Sequence, residues 1–312
     1  VRPHVLVFLE TELWPSWLFE AKRRGVKICL LNGRISERSI RGYLKVRPFF
    51  KEVLNCFDRF SMISGQDAQR MLQMGAAPLK MTVNGNAKYD TLATDVDGTA
   101  EQEIRDLLDI RETDKVFVAG STRGGEEEEV LTAYRRLLKD FPDTILIIAP
   151  RHIGRAPSIG AMIDKTGLGY QLRTAIGEGK GRRTEKVLIM DTFGELFNVY
   201  SVATVVFCGG SLVPLGGQNP MEPAAWGKAV LYGPYMDDFL DAKKLLEAAN
   251  ATVPVGSGEE LGEKAAWLFA DKKARDEYGS RARRVVRDNC RTAEKHAGVI
   301  EKLLKETGNW TA

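Results

Sequence analysis

Apolar residues in this chain fall into short unbroken runs, and each run is followed by a stretch in which they recur every three or four positions. The first run, HVLVFLE from His4 to Glu10, has the continuity of a strand buried on both faces. Pro15 then stands where a first helical turn accepts proline, and Leu13, Trp17, Leu18 and Ala21 keep a helical period up to Gly25. VKICLLNG predicts a second strand. Ser36 opens a helical segment carrying Ser39, Ile40, Tyr43 and Leu44, and Pro48 interrupts it before Phe49, Phe50, Val53, Leu54 and Phe57 continue. RFSMIS predicts a third strand. SGQDAQRMLQMGA predicts a helix with Ser64 as cap, Asp67 three residues later and Gly75 as stop.

The periodicity lapses over NGNAKYDTLATDVDGTAEQ, which predicts an interdomain linker with a boundary near Asp97. It then restarts. KVFVAGST predicts a strand, GGEEEEVLTAYRRLLKDFP a helix with four glutamates at its positive end, and TILIIAPRH another strand before a helix near Pro157–Gly167. KVLIMDTFGELFNVYSVATVVFCGGS predicts strand, short helix capped as Thr192-x-x-Glu195, and strand. From Glu259 onward the pattern is helical and charged, and from about Ala282 the chain is expected to pack back toward the first half. Strand–helix alternation at this spacing predicts α/β architecture: two tandem halves, each a doubly wound parallel sheet.

Composition changes this picture little. With 44% hydrophobic and 28% charged residues the 312-residue chain reads as globular, and its length favours two domains. A net charge of +3 names no partner, but ten Lys or Arg and only Glu37 on the acidic side lie between Lys22 and Lys51, which suits an anionic surface or ligand. Cys29, Cys56, Cys208 and Cys290 are dispersed and form no CxxC, so they read as buried thiols; with three scattered histidines, zinc has no support. No run approaches the roughly 18 apolar residues of a membrane span. Val1 stands where an initiator methionine is expected, which predicts a missing N-terminal segment.

Candidate chemistry gathers at strand ends, where open α/β sheets bind ligands. After VVFC come two glycine pairs, Gly209-Gly210 and Gly216-Gly217, then Asn219-Pro220-Met221-Glu222. A capping box explains Asn219, Pro220 and Glu222 without a ligand; a phosphate on the helix N-terminus explains the glycines as well. Neither GK[ST] nor GxGxxG is present, which disfavours a Walker A loop or a dinucleotide site. Ser121-Thr122-Arg123 and Arg151-His152 follow two other strands as an anion site or as caps and surface cations. In the first half, ETELWP places Glu10 and Glu12 at a strand end, where alternation turns both carboxylates the same way. Arg34, Ser36, Arg38 and Arg41 follow the second strand as a basic stripe for phosphates or a membrane surface.

ETELWP, LNGRISERS, GNAKYD, AGST, APRH, DTFGEL and GGSLVPLGGQNPMEPA, in this order, resemble the 3-deoxy-D-manno-octulosonic acid (Kdo) transferases of lipopolysaccharide synthesis. The resemblance implies the GT-B fold, two Rossmann-like domains facing each other across a cleft. Residues 1–97 would be a partial acceptor domain with the linker, 98–281 the donor domain, and 282–312 a returning C-terminal helix. It implies a metal-independent, inverting transfer of Kdo from CMP-Kdo to the lipid A precursor, lipid IVA, at the cytoplasmic face of the bacterial inner membrane, with no cofactor and no nucleic-acid partner. By the same resemblance Ser121, Arg151, Gly210, Ser211, Gly217, Asn219 and Glu222 hold the donor, with Glu222 on the ribose. Arg34, Ser36, Arg38 and Arg41 meet acceptor or lipid phosphates. Glu12 is an acceptor-side carboxylate, while the general base and the membrane anchor belong to the segment expected before Val1. Gln218 and Arg123 depart from the family's GGHNP and STH. A GT-B enzyme using a UDP-sugar (transferase or epimerase) and a non-catalytic nucleotide- or lipid-binding module are the competing readings.

Overall fold

The computed structural model describes residues 3–177 and 180–308; Val1 and the last four residues of the expected C-terminal helix lie outside the described residues. The chain forms two compact units, one made of Val1–Thr91 with Asn289–Ala312 and the other of Leu92–Asp288.

The first unit carries a four-stranded parallel sheet in the order β1 (Val5–Leu9), β2 (Lys27–Gly33), β3 (Arg59–Met62), β4 (Met81–Val83). One face packs Phe8, Ile28, Leu30, Phe60 and Met62 against Leu18, Val53, Leu54, Met71 and Met74 of the helices that follow the strands. On the other face Cys29 and Leu31 meet Val299 and Leu303 of the helix Thr292–Glu306. The strands are continuous apolar runs because both faces are covered. The predicted signals operate locally. Ser64 accepts from the Asp67 amide at 3.1 Å, and Gly75 ends the helix at φ 112°. Ser36 accepts from the Ser39 amide at 3.0 Å.

The second unit is a seven-stranded parallel sheet. Its strands are β5 (Val116–Thr122), β6 (Ile145–Pro150), β7 (Tyr170–Leu172), β8 (Val187–Ile189), β9 (Val205–Cys208), β10 (Ala229–Tyr232) and β11 (Thr252–Pro254), arranged 11-10-9-5-6-8-7. Phe117 and Ala119 of β5 face a core built with the helices Glu127–Asp140, Ala156–Asp164 and Gly258–Ala270. Val116 and Val118 face the opposite core, with Ile104, Leu108 and Tyr200. Each such fully buried apolar side chain contributes about 1.5–3 kcal/mol relative to exposure. One sequence expectation is corrected here. Thr192 does not cap the short helix; that helix begins at Leu196, and the Thr192 hydroxyl instead donates to the Glu195 carboxylate at 2.6 Å.

Candidate functional site

In the second sheet the chain leaves β5 toward β6 on one side and leaves β9 toward β10 on the other. The loops after β5 and β9 therefore diverge, opening the crevice where α/β sheets of this kind bind ligands. β5 ends in a register shift between Gly120 and Thr122, with Ser121 between them at φ 54°. A non-glycine residue in that region is uncommon and clusters at functional sites.

The crevice floor is filled by the chain itself. Glu126, the last residue before the helix Glu127–Asp140, is fully buried and turns its carboxylate onto the loop after β9. It accepts from the amides of Gly210, of Ser211 at 3.2 Å, of Leu212 at 3.3 Å and of Arg123 at 2.8 Å. Burial pushes this carboxyl up from its ordinary range, while the same four amides pull it down. The expectation that Gly210 and Ser211 offer their amides to a phosphate is thus corrected: a carboxylate from the same chain already occupies them. Ser211 is structural in its hydroxyl too, donating to the Cys208 carbonyl at 2.5 Å and accepting from the Gly233 amide at 2.9 Å. Gly217 donates to the Gly210 carbonyl at 2.8 Å rather than outward. Its φ is 76°, and a Cβ there would lie 3.0 Å from the Tyr235 carbonyl oxygen.

Around this floor stand charged side chains. Glu127, also fully buried, accepts from Thr122 Oγ1 at 3.0 Å and from both terminal nitrogens of Arg155, one at 3.0 Å. Consecutive glutamates thus join the ends of β5, β6 and β9. Arg123 lays its stem beside Gly210, 3.3 Å from where a Cβ would stand, and its Nη1 lies 2.9 Å from His152 Nε2. Its Nε is buried without a partner. Arg151, one residue beyond β6, is exposed and bonded only through its amide to the Thr122 carbonyl, at 2.9 Å. Asn219 accepts from the Met221 amide and donates to Glu222, both at 3.1 Å, so the predicted capping pair forms at the head of the five-residue helix Met221–Ala225. Burial pushes the Glu222 carboxyl up, opposed by the Asn219 bond and by the nearby charge of Arg151. The structure therefore brings Ser121, Arg151, Asn219 and Glu222 to neighbouring strand ends in one unit. The roles of Glu126, Glu127 and Arg155 were not legible: a run of four glutamates at a helix start reads as dipole complement, and nothing local shows two of them turning inward.

In the first unit the expected carboxylate pair does not form. Glu10 takes φ 57°, which breaks the alternation; it pairs with Lys88 at 2.5 Å, whereas Glu12 accepts from Trp14 Nε1. Ser36 serves as the helix cap. Arg38 and Arg41 are exposed, Arg41 at 3.6 Å from Glu37, and Arg34 is half-buried beside them in sequence.

Comparison with known proteins agrees with this architecture. Residues 1–91 match the family of N-terminal domains described as 3-deoxy-D-manno-octulosonic-acid transferase (kdotransferase), so the match ends where the first unit's leading stretch ends. A bifunctional glycosyltransferase/methyltransferase of Fusobacterium nucleatum is 33% identical over 280 residues, 90% of this chain and 43% of that protein. The 3-deoxy-D-manno-octulosonic acid transferase of Bordetella pertussis is 30% identical over 311 residues, 99% of this chain and 69% of that protein. The chain thus spans less than half of one relative and about two thirds of the other. Among solved structures, the C-terminal CMP-Kdo binding domain of WaaA from Acinetobacter baumannii aligns with a TM-score of 0.55 at 21% identity. That alignment covers 63% of this chain and 98% of that one, and at this identity it speaks for fold alone. Full-length similarity at this level, carried by the motifs and the two parallel sheets, places the chain in the 3-deoxy-D-manno-octulosonic acid transferase family.

Proposed function

We propose that the chain takes part in transferring Kdo from CMP-Kdo to a lipid A precursor, lipid IVA, at the cytoplasmic face of the inner membrane, and that its second unit binds the donor. The observation that carries this reading is Arg151: an exposed guanidinium with no acidic partner, beside the half-buried Glu222–Asn219 pair. A cation left unpaired next to a carboxylate suits a ligand bearing both a phosphate and hydroxyls. Arg151 meets the phosphate by charge-assisted hydrogen bonds, and Glu222 accepts from ribose hydroxyls. As the bond between the sugar's anomeric carbon and the phosphate oxygen breaks, the electron pair leaves with CMP and an oxocarbenium-like centre develops. Arg151 then faces the growing phosphate charge, so this reading requires no resident metal. On the acceptor side, Arg34, Arg38 and Arg41 supply the cations for lipid phosphates, and Glu12 is the carboxylate nearest them in role; Ser36 is committed to its cap.

The test is calorimetric titration of the 312-residue chain with CMP, with UMP and AMP as controls. CMP alone should bind. In Arg151→Ala the affinity should fall by about 10- to 150-fold, the ~1.5–3 kcal/mol of a hydrogen bond to a charged group. Equal affinity for UMP, or an unchanged Arg151→Ala, defeats the reading.

A further inference from the structure

The geometry points to Phe193 as the platform on which the nucleotide's base stacks. The inference rests on the donor reading above and extends it to a residue that reading leaves unused.

A lone exposed phenylalanine means little in itself. Phe193, 73% exposed, is distinguished by its place and its support. It sits four residues beyond the end of β8, whose Ile189 is paired with Ile148 of β6, and the Met190 amide donates to the Ile148 carbonyl at 2.8 Å. Arg151 leaves the same end of β6, so Phe193 and Arg151 emerge from adjacent strand ends.

The loop that carries Phe193 is pinned on both sides. Asp191 accepts from the Thr174 amide at 2.9 Å and from its hydroxyl at 2.5 Å. Glu195 accepts from Thr192 and, at 2.9 Å, from Arg173. Gly194, at φ 82°, turns the chain between these anchors and has no atom within 4 Å of where its Cβ would be. A fixed loop therefore holds an aromatic face open to ligand, with little conformational entropy left to lose on binding.

The spacing fits a mononucleotide. From the end of β5, where Arg123 stands, to the end of β8 is two strand intervals, about 9.6 Å. A nucleoside monophosphate with its phosphate at Arg123 and Arg151 extends its base by two such intervals, onto Phe193. Stacking tolerates any base, so Phe193 supplies affinity, and discrimination among bases falls to other groups.

The experiment measures CMP and ribose 5-phosphate affinity in the wild-type chain and in Phe193→Ala, Phe193→Leu and Phe193→Tyr. Stacking predicts that Ala and Leu each weaken CMP by about tenfold, within the range of base–aromatic contacts, that Tyr restores it, and that ribose 5-phosphate is unaffected. In Phe193→Trp the indole fluorescence should be quenched by CMP and not by ribose 5-phosphate. If the wild type binds CMP and Phe193→Ala binds it equally well, the platform is refuted while the donor reading stands. A parallel loss of ribose 5-phosphate affinity also refutes it, because Phe193 would then be supporting the loop rather than touching a base. If the wild type binds no CMP, the donor reading fails first and takes this inference with it.

Discussion

Replacing Glu126 by alanine should destabilise the second unit by about 3–5 kcal/mol, the range for stripping a buried charge network of one partner. The carboxylate is fully buried and satisfies four backbone amides, those of Arg123, Gly210, Ser211 and Leu212. Each buried donor left without an acceptor costs about 1–3 kcal/mol. Relaxation of the loop and entry of water recover part of that sum. The remainder is a large share of the 5–15 kcal/mol that holds a typical domain together. Two readouts separate this role from simple packing. The amides of Gly210, Ser211 and Leu212 should be protected from hydrogen exchange in the wild type and should exchange freely in Glu126→Ala. Glu126→Gln fills the same volume, yet it sets an NH2 group against amide donors and should lose most of the same protection. A Glu126→Ala chain within 1 kcal/mol of wild type, with those amides still protected, would show that the loop holds itself.

Glu126 also marks where reading the sequence stopped short. The strands were legible because parallel strands covered on both faces are unbroken apolar runs, as in TILIIAP and VVFC. Ser36, Ser64, Gly75 and the Asn219–Glu222 pair were legible because caps act within three residues. The glycine pairs announced a close approach correctly, but not of what. A Cβ on Gly209 would lie 2.7 Å from the Thr122 Cα, and one on Gly233 would lie 2.2 Å from the Ser211 carbonyl oxygen. The approaching object there is another segment of the chain. Glu126 reaches Gly210 across 84 residues, and no local pattern encodes a contact at that separation. Arg151 was legible for the opposite reason: a cation directly after a buried strand has nowhere to go but the strand-end crevice. The bend at Glu10 was hidden because a left-handed residue that is neither Gly nor Asn carries no compositional mark.

The first unit should lose stability as pH falls below about 6.5, the ordinary value for histidine, and His296 should be the cause. This residue lies on the last helix, almost wholly buried against the first sheet. Its Nδ1 is 2.7 Å from Ser61 Oγ and faces the Asn32 amide at 3.5 Å, while its Nε2 lies 3.1 Å from the Gly85 carbonyl. Nε2 therefore carries the proton and donates to Gly85, and neutral Nδ1 accepts. Burial holds the imidazole below its usual value; the bond to Gly85 and the Asp90 charge oppose this, and Lys295 adds to it. The sign follows. With a depressed folded value, the unfolded chain binds the extra proton first, so stability is fully present above about 6.5 and is lost as pH falls through the folded value. Protonation also removes the acceptor facing the Asn32 amide and sets a second N–H toward Ser61, whose oxygen already accepts from Asn84 at 2.6 Å. Hydrogen exchange of the helix Thr292–Glu306 between pH 8 and 5 should register the change as faster opening. His296→Ala should cost about 3 kcal/mol at pH 8, from the cavity and from the partners left at Ser61 and Gly85, and should flatten the pH dependence. His4→Ala and His152→Ala should retain it. If the slope survives in His296→Ala, the docking of this helix is governed by other groups.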